Sequence, residues 1–427
     1  MTGFAPHPDR DMVLGEVHAR PFHPVSTPAR MLRFAFMTDA AQAAADRAAL
    51  WLFCEANGAP GPAKGVKQHR VVIDGLGLRW EQHSEFTTYT WELQNPSTEP
   101  FDVAARSIAA TMGRLPQPGP HLSSIDLHLL PADAVGAFAD LFQASSLAAS
   151  EVDGGGGLAA TDFLPDQDGF VRLLVLDRAL TPTRAGALTQ RLMEIETYRT
   201  LALLGLPEVI RSAPNAKMME DQLVQISSTM IDGRGLADDR LLLDQLTALA
   251  ATLEAEATSA GYRFGATRAY DNLVQQRLVS IDEMPVEGAP TWAAFLARRV
   301  NPAMRTCAML EDRQANLSRK LARATALLRA RVDVEIERQN SELLASMDAR
   351  ARAQLRLQQT VEGLSVAAIS YYVVGLIGYM VKGAWEAGYF PIEAGPAMAI
   401  SAPLVIALVW RVLYKVRRKH MAFDRGT

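Results

Sequence analysis

Hydrophobic positions change their spacing along this 427-residue chain, and the successive regimes predict different kinds of structure. From Met31 to Met37 a short apolar run reads as a strand, and Asp39 then caps an alanine-rich helix to about Cys54. Asn57-Gly58-Ala59-Pro60-Gly61-Pro62 ends it. Arg70–Asp74, Leu76–His83 and Glu85–Leu93 follow as strands, the first two joined by the tight Asp74-Gly75 turn of a hairpin. A helix over Pro100–Met112, a strand over Ser124–Leu130, a helix over Ala132–Phe142 and a buried strand over Phe170–Leu176 complete the region. This alternation predicts an α/β or α+β domain over residues 30–178, preceded by an extended segment over 1–29.

After Asp177 the period becomes that of a helix. Thr181-Pro182 marks a start, and Leu188, Leu192, Ile195 and Leu203 form an apolar face, with Arg191, Glu194 and Glu196 read as a solvated one. Pro207 interrupts, and helices over Pro207–Ile231, Ala237–Ser259, Tyr262–Asp282 and Thr291–Val300 complete a helical bundle over 179–300. Asn301-Pro302 opens the next helix, and residues 303–362 contain neither Gly nor Pro. At the helical rise those residues span about 90 Å. Leu310, Leu317, Leu321, Ala324 and Leu328 follow a heptad seam that slips by four through Val332, Ile336, Leu343 and Met347. A long stalk helix is therefore expected over 301–362.

The last regime is continuous. Gly363–Val381 is a 19-residue uncharged run and Ala394–Trp410 one of 17, joined by a short loop with Gly383, Gly388 and Pro391. These lengths predict a C-terminal two-helix transmembrane hairpin over 363–414, with a basic cytoplasmic tail over 415–427. Arg350, Arg352 and Arg356 precede the first run, and Arg411, Lys415, Arg417, Arg418 and Lys419 follow the second as interface anchors. By the positive-inside rule both termini face the cytoplasm, at the inner membrane of a bacterium.

Composition narrows the function classes. A net charge of −4 gives no basic field, so nucleic acid is not an expected partner. Cys54 and Cys307 alone suit a reducing compartment and supply no thiolate metal cluster. Met1–Arg20 has no apolar core of the kind a signal peptide needs. Within residues 1–29, Glu16, His18 and Arg20 form a candidate surface site, but His7, His18 and His23 lack the one-turn spacing of a zinc helix. Val152–Gly157 contains four consecutive glycines without a following Lys-Ser or Lys-Thr, and is expected to be a flexible hairpin tip rather than a phosphate loop. No cofactor is expected.

Three phrases carry a resemblance: Glu16-Val17-His18-Ala19-Arg20-Pro21-Phe22, Glu194-Ile195-Glu196-Thr197-Tyr198-Arg199, and Thr360-Val361-Glu362-Gly363-Leu364-Ser365 with Ile369-Ser370-Tyr371-Tyr372. They are similar to those of an uncharacterised bacterial family of predicted membrane-anchored proteins, which implies an anchor and no known activity. More distantly, the order of elements resembles CorA-type magnesium channels. In those channels a Gly-Met-Asn signature closes the first span, whereas here the place reads Gly378-Tyr379-Met380-Val381. Ser365, Ser370, Tyr372, Gly375, Gly378 and Tyr379 are candidates for a pore face or for helix packing.

The expected function is that of a membrane-anchored, oligomeric scaffold for an unidentified protein partner, in contact with the lipid bilayer. One alternative is a CorA-like channel with acidic cation sites at Asp239, Glu335 or Glu337. The other is an enzyme using His18 with Glu16, or His83 with Glu81.

Overall fold

The computed structural model describes residues 7–10, 13–14, 22–94, 96, 99–101, 112–231, 235–389 and 394–423. Its contacts divide the chain into two units, one of residues 1–233 with 242–325, the other of residues 234–241 with 326–427.

The first unit is built on a sheet. Its strands are β1 (Ala29–Met37), β2 (Gln68–Ile73), β3 (Leu76–Gln82), β4 (Phe86–Gln94), β5 (His121–Pro131), β6 (Ala148–Val152), β7 (Gly157–Pro165), β8 (Phe170–Asp177) and β9 (Met284–Pro285). They lie in the order β2-β3-β4-β1-β5-β8-β7-β6-β9. Neighbours are antiparallel except the parallel pair β5 and β8. Local chemistry explains the connections that sequence alone predicts. Asp74 and Gly75 both take positive φ, 52° and 79°, the geometry that lets two residues join β2 to β3 without splaying them. Residues 153–156 are the tip of the β6–β7 hairpin, with Asp153, Gly154 and Gly155 also at positive φ.

Alternation sends each strand's side chains to two faces, and both are covered. On one face, helix α1 (Ala40–Ala56) lays Leu50, Phe53 and Cys54 over Leu32, Phe34, Trp80 and Trp91. Asp39 closes a reciprocal capping box with Gln42 at its start. On the other, helix α2 (Pro182–Leu203) buries Leu188, Leu192 and Ile195 against Ile125, Leu127, Leu173 and Val175. Thr181 caps it and Pro182 occupies its first turn, as the sequence predicts.

Helices α3 (Gly205–Ile231), α4 (Leu236–Ser280), α5 (Trp292–Arg299), α6 (Asn301–Glu386) and α7 (Ala394–Phe423) follow. Within the first unit, Val209 and Ala216 of α3, Ala260 and Phe264 of α4, and Cys307 and Leu310 of α6 form one apolar cluster. In the second unit, α6 continues unbroken to Glu386 and α7 follows it, and Asp239 pairs with Arg331 at 3.0 Å.

Several expectations are corrected. The helix expected over Ala132–Phe142 is absent; short 3-10 turns at Phe138–Leu141 and Ala144–Ser146 replace it. There Ala132 N–H donates to the Asp177 carbonyl at 2.9 Å, prolonging the pairing of β5 with β8, and Ala134 N–H donates to the Pro131 carbonyl at 3.0 Å, so the chain turns where a helix would have to begin. The two helices expected over Ala237–Ser259 and Tyr262–Asp282 are one, α4. Gly261 costs a helix about 1 kcal/mol, and burial of Ala260 and Phe264 on either side of it outweighs that. Glu194 and Glu196, expected on a solvated face, are buried at 7% and 1% exposure. Strands β6, β7 and β9 were not expected as strands. The helix expected over Pro100–Met112 falls largely on residues 102–111, outside the described residues.

The segment before β1 docks on α2 through Val25 N–H, which donates to the Pro182 carbonyl at 2.9 Å. A methyl group at Gly186 would stand 1.8 Å from the His23 carbonyl oxygen. Gly186→Ala is therefore expected to lower stability by about 1–3 kcal/mol in denaturant unfolding, because the backbone of one of the two segments must move.

Candidate functional site

Two groups of charged side chains lie inside the sheet unit, one on each face of β1. Strand alternation puts Arg30 on the face of α1 and Arg33 on that of α2.

On the α1 face, Arg30 makes a two-pronged contact with Asp126 of β5: Nε donates to Oδ1 at 2.9 Å and Nη2 to Oδ2 at 2.7 Å. His128 Nε2 lies 3.3 Å from Asp126 Oδ1, and Phe101 meets the imidazole edge-on at 4.8 Å. All three polar residues are at most 1% exposed. Burial alone would raise the Asp126 carboxyl, but contacts from His128 and Arg30 and their charge hold it well below the ordinary value of 3.8. On the same face, Asp46 accepts from Trp80 Nε1 at 2.7 Å and from the Tyr89 hydroxyl at 2.6 Å. Here burial wins over those two hydrogen bonds and raises the carboxyl, because neither donor brings a charge.

On the α2 face a polar seam runs between sheet and helix. Arg33 lies 3.6 Å and Arg79 3.8 Å from Glu81, while Arg79 Nη1 donates to Gln190 of α2 at 2.8 Å. Gln190 in turn donates to Glu194 at 3.0 Å, and Arg277 of α4 also pairs with Glu194. Arg70 meets Glu92 at 3.1 Å. Among these groups, His23, Arg70, Arg79, Thr90, Glu92 and Gln190 border a cavity of about 20 Å³, room for a water or two. This is too small for an organic substrate.

Other residues singled out by the sequence are dispersed. Glu16, His18 and Arg20 lie outside the described residues. Glu81 belongs to the seam, and the His83 ring stacks on Phe86 at 4.0 Å. Asp239 is held by Arg331, Glu335 by Arg338 at 2.7 Å, and Glu337 is exposed on α6. Ser365, Tyr372 and Tyr379 are exposed on α6 and Gly375 is half-buried there, and the Ser365 hydroxyl donates to the Val361 carbonyl at 2.9 Å. Ser370 is buried. Gly378 abuts Met398 of α7 so closely that a methyl group there would sit 2.4 Å from its sulfur. Arg411 and Lys415 are exposed on α7, and Arg417, Arg418 and Lys419 fall on the same helix.

Residues 5–420 match the model of a family described as "Protein of unknown function (DUF3422)". The chain belongs to that family. No curated protein matches the chain, and no solved structure does. Membership in DUF3422 agrees with the resemblance to an uncharacterised family drawn from the three phrases above, and it brings no activity with it.

The seam is the site that sequence reasoning missed in this DUF3422 chain. Its one sequence signal was an arginine set inside an apolar strand, Met31-Leu32-Arg33-Phe34, since a charge there must find a partner.

Removing one partner of a buried pair leaves a charge stranded. Asp126→Asn is expected to cost about 3–5 kcal/mol at neutral pH in denaturant unfolding. Because the folded carboxyl is depressed, its contribution is full above the ordinary value of 3.8 and is lost as pH falls through the lower folded value. The gap between wild type and Asp126→Asn should therefore narrow in titrations taken below about pH 4.

Proposed function

We propose that this chain is a membrane-anchored, oligomeric scaffold whose sheet unit faces the cytoplasm and presents a binding surface to a protein partner. The observation that carries the proposal is uncovered apolar surface. Two helices are long and apolar enough to cross a membrane: one 18-residue window in Asn301–Glu386 and one at Gly395–Val412, of which 11% and 6% is buried. Leu364, Tyr371, Leu376, Met380, Leu404 and Leu408 are all largely exposed. Water does not tolerate such a surface, and a bilayer removes the cost.

Charge supports the orientation: basic residues precede the first run and follow the second, the pattern that favours cytoplasmic termini. The proposal assigns no catalytic residue and no cofactor. Support for self-association comes from α6, where Leu343, Leu344, Met347, Leu355 and Leu357 are exposed beyond the buried seam positions Leu310, Leu317, Leu321 and Leu328.

In membranes from expressing cells the protein is expected to resist alkaline carbonate extraction. Leu376→Arg, which sets a charge within the first run, costs up to about 3 kcal/mol of insertion and should shift protein into the extract. Release of the wild-type protein by carbonate would overturn the anchor. Light-scattering mass of the detergent-solubilised protein, corrected for detergent, is expected to exceed one subunit. A monomer would remove the oligomer, and a symmetric ring that conducts ions would favour a channel.

A further inference from the structure

Helix α6 outlasts its own cover. Its seam residues Leu310, Leu317, Leu321, Leu328 and Val332 are buried. The heptad then slips by four, and from residue 337 to residue 362 every side chain is exposed while the helix runs on unbroken to Glu386.

The exposed stretch is sorted by face. Counted with Asn340 at position a of a heptad, the d positions are Ile336, Leu343, Arg350 and Leu357, and the a positions are Asn340, Met347, Gln354 and Val361. Leu343, Met347, Leu357 and Val361 are 58–66% exposed. The flanking e and g positions, Leu344, Ser346, Ala351, Ala353, Gln358 and Thr360, carry no charge. Of the six charged residues between 340 and 362, Arg350 alone lies on this face; Glu342, Asp348, Arg352, Arg356 and Glu362 fall at b, c or f. Arg338 pairs with Glu342, and Arg352 with Asp348, along that outer side. Leu355, at b, is the one large apolar side chain of the stretch that lies off the face. A helix wetted all round has no reason to divide its charges in this way.

We propose that residues 336–361 of α6 form a parallel, in-register, two-stranded coiled coil with the same stretch of a second copy. This deepens the self-association reading above and rests on the anchor. Helix α6 enters the first apolar run directly at Gly363, so two copies held in one bilayer bring their stalks together pointing the same way and at the same height, at a high effective concentration. The polar positions favour a second copy over other occupants. In parallel register a meets a and d meets d, so Asn340 and Gln354 each face their own counterpart, and an amide carries both the donor and the acceptor that such a pair needs. Antiparallel or shifted pairing sets those amides against Ile336, Leu343 or Leu357. Leucine at d, with Val361 and an asparagine at a, favours two strands. Arg350 opposes the assembly, because it meets its own charge at d, and its long stem lets the guanidinium reach water at the edge of the seam.

The test uses the full chain in membranes from expressing cells, with single cysteines introduced by substitution and a short bismaleimide as the probe. Cys54 and Cys307, at 0% and 3% exposure, set the background. Leu343→Cys and Met347→Cys are expected to cross-link into dimers, and Asp348→Cys and Arg352→Cys, on the outer side, are not. The detergent-corrected mass of the wild type is expected to be two subunits. Arg350→Leu, which removes the opposing charge, should lower the concentration at which the solubilised dimer dissociates about tenfold. Equal cross-linking from the outer side, seam cysteines that link to nothing or to another protein, a mass of three or more subunits, or an Arg350→Leu dimer no tighter than wild type would each overturn the coiled coil. Carbonate extraction of the same membranes separates this inference from the reading beneath it. Resistant protein without seam cross-links overturns the coiled coil and leaves the anchor, whereas released protein that still cross-links overturns the anchor and leaves the coiled coil.

Discussion

The sheet unit depends on the register of β1. This strand carries Arg30 to one face and Arg33 to the other, and each guanidinium is almost fully buried. Arg30 finds Asp126 on β5, and Arg33 finds Glu81 through β4 and β3. A slip of one residue would turn each arginine to the opposite face and strand two charges in apolar surroundings. Hydrophobic alternation alone also specifies register, but the penalty for an unpaired buried charge is several times that for an exposed leucine. The charged pairs thus select one arrangement from those that burial would tolerate.

The two faces use charge differently because they are covered differently. On the face that carries α1, Asp126 receives a two-pronged guanidinium and has an imidazole beside it, with Phe101 edge-on to that imidazole, a closed arrangement among strands. Under α2 the seam includes partners from the helix itself, Gln190 and Glu194, and through Arg277 it reaches α4. Helix α2 thereby does more than cover apolar strands, since its position is tied to β3 on one side and to α4 on the other. Docking of residues 23–25 at Gly186 adds a contact that only a residue without Cβ permits.

The second unit obeys a different constraint. Its apolar residues are on the outside, and packing between α6 and α7 relies on close approach at Gly378 and Met398 rather than on a large buried core. Such a surface inverts the rule that organises the sheet unit, where both faces of every central strand are covered.

Features set by neighbours in sequence were legible without the structure. The Asp39 and Thr181 caps, the Asp74-Gly75 turn, the Gly-rich tip before β7 and the two long uncharged runs each depend on a few adjacent residues. What tertiary structure alone decided involves distant partners. Arg79 reaches Gln190 across 111 residues and Arg277 reaches Glu194 across 83, so no local pattern distinguishes those side chains from solvated ones. The same holds for Gly261, where a local helix breaker yields to burial on both sides, and for residues 132–142, where a local helix pattern yields to the hydrogen bond of Ala132 with Asp177 on β8. Local chemistry proposes elements, but the energy of burial is settled by what packs against them, and that is not written in the spacing of residues.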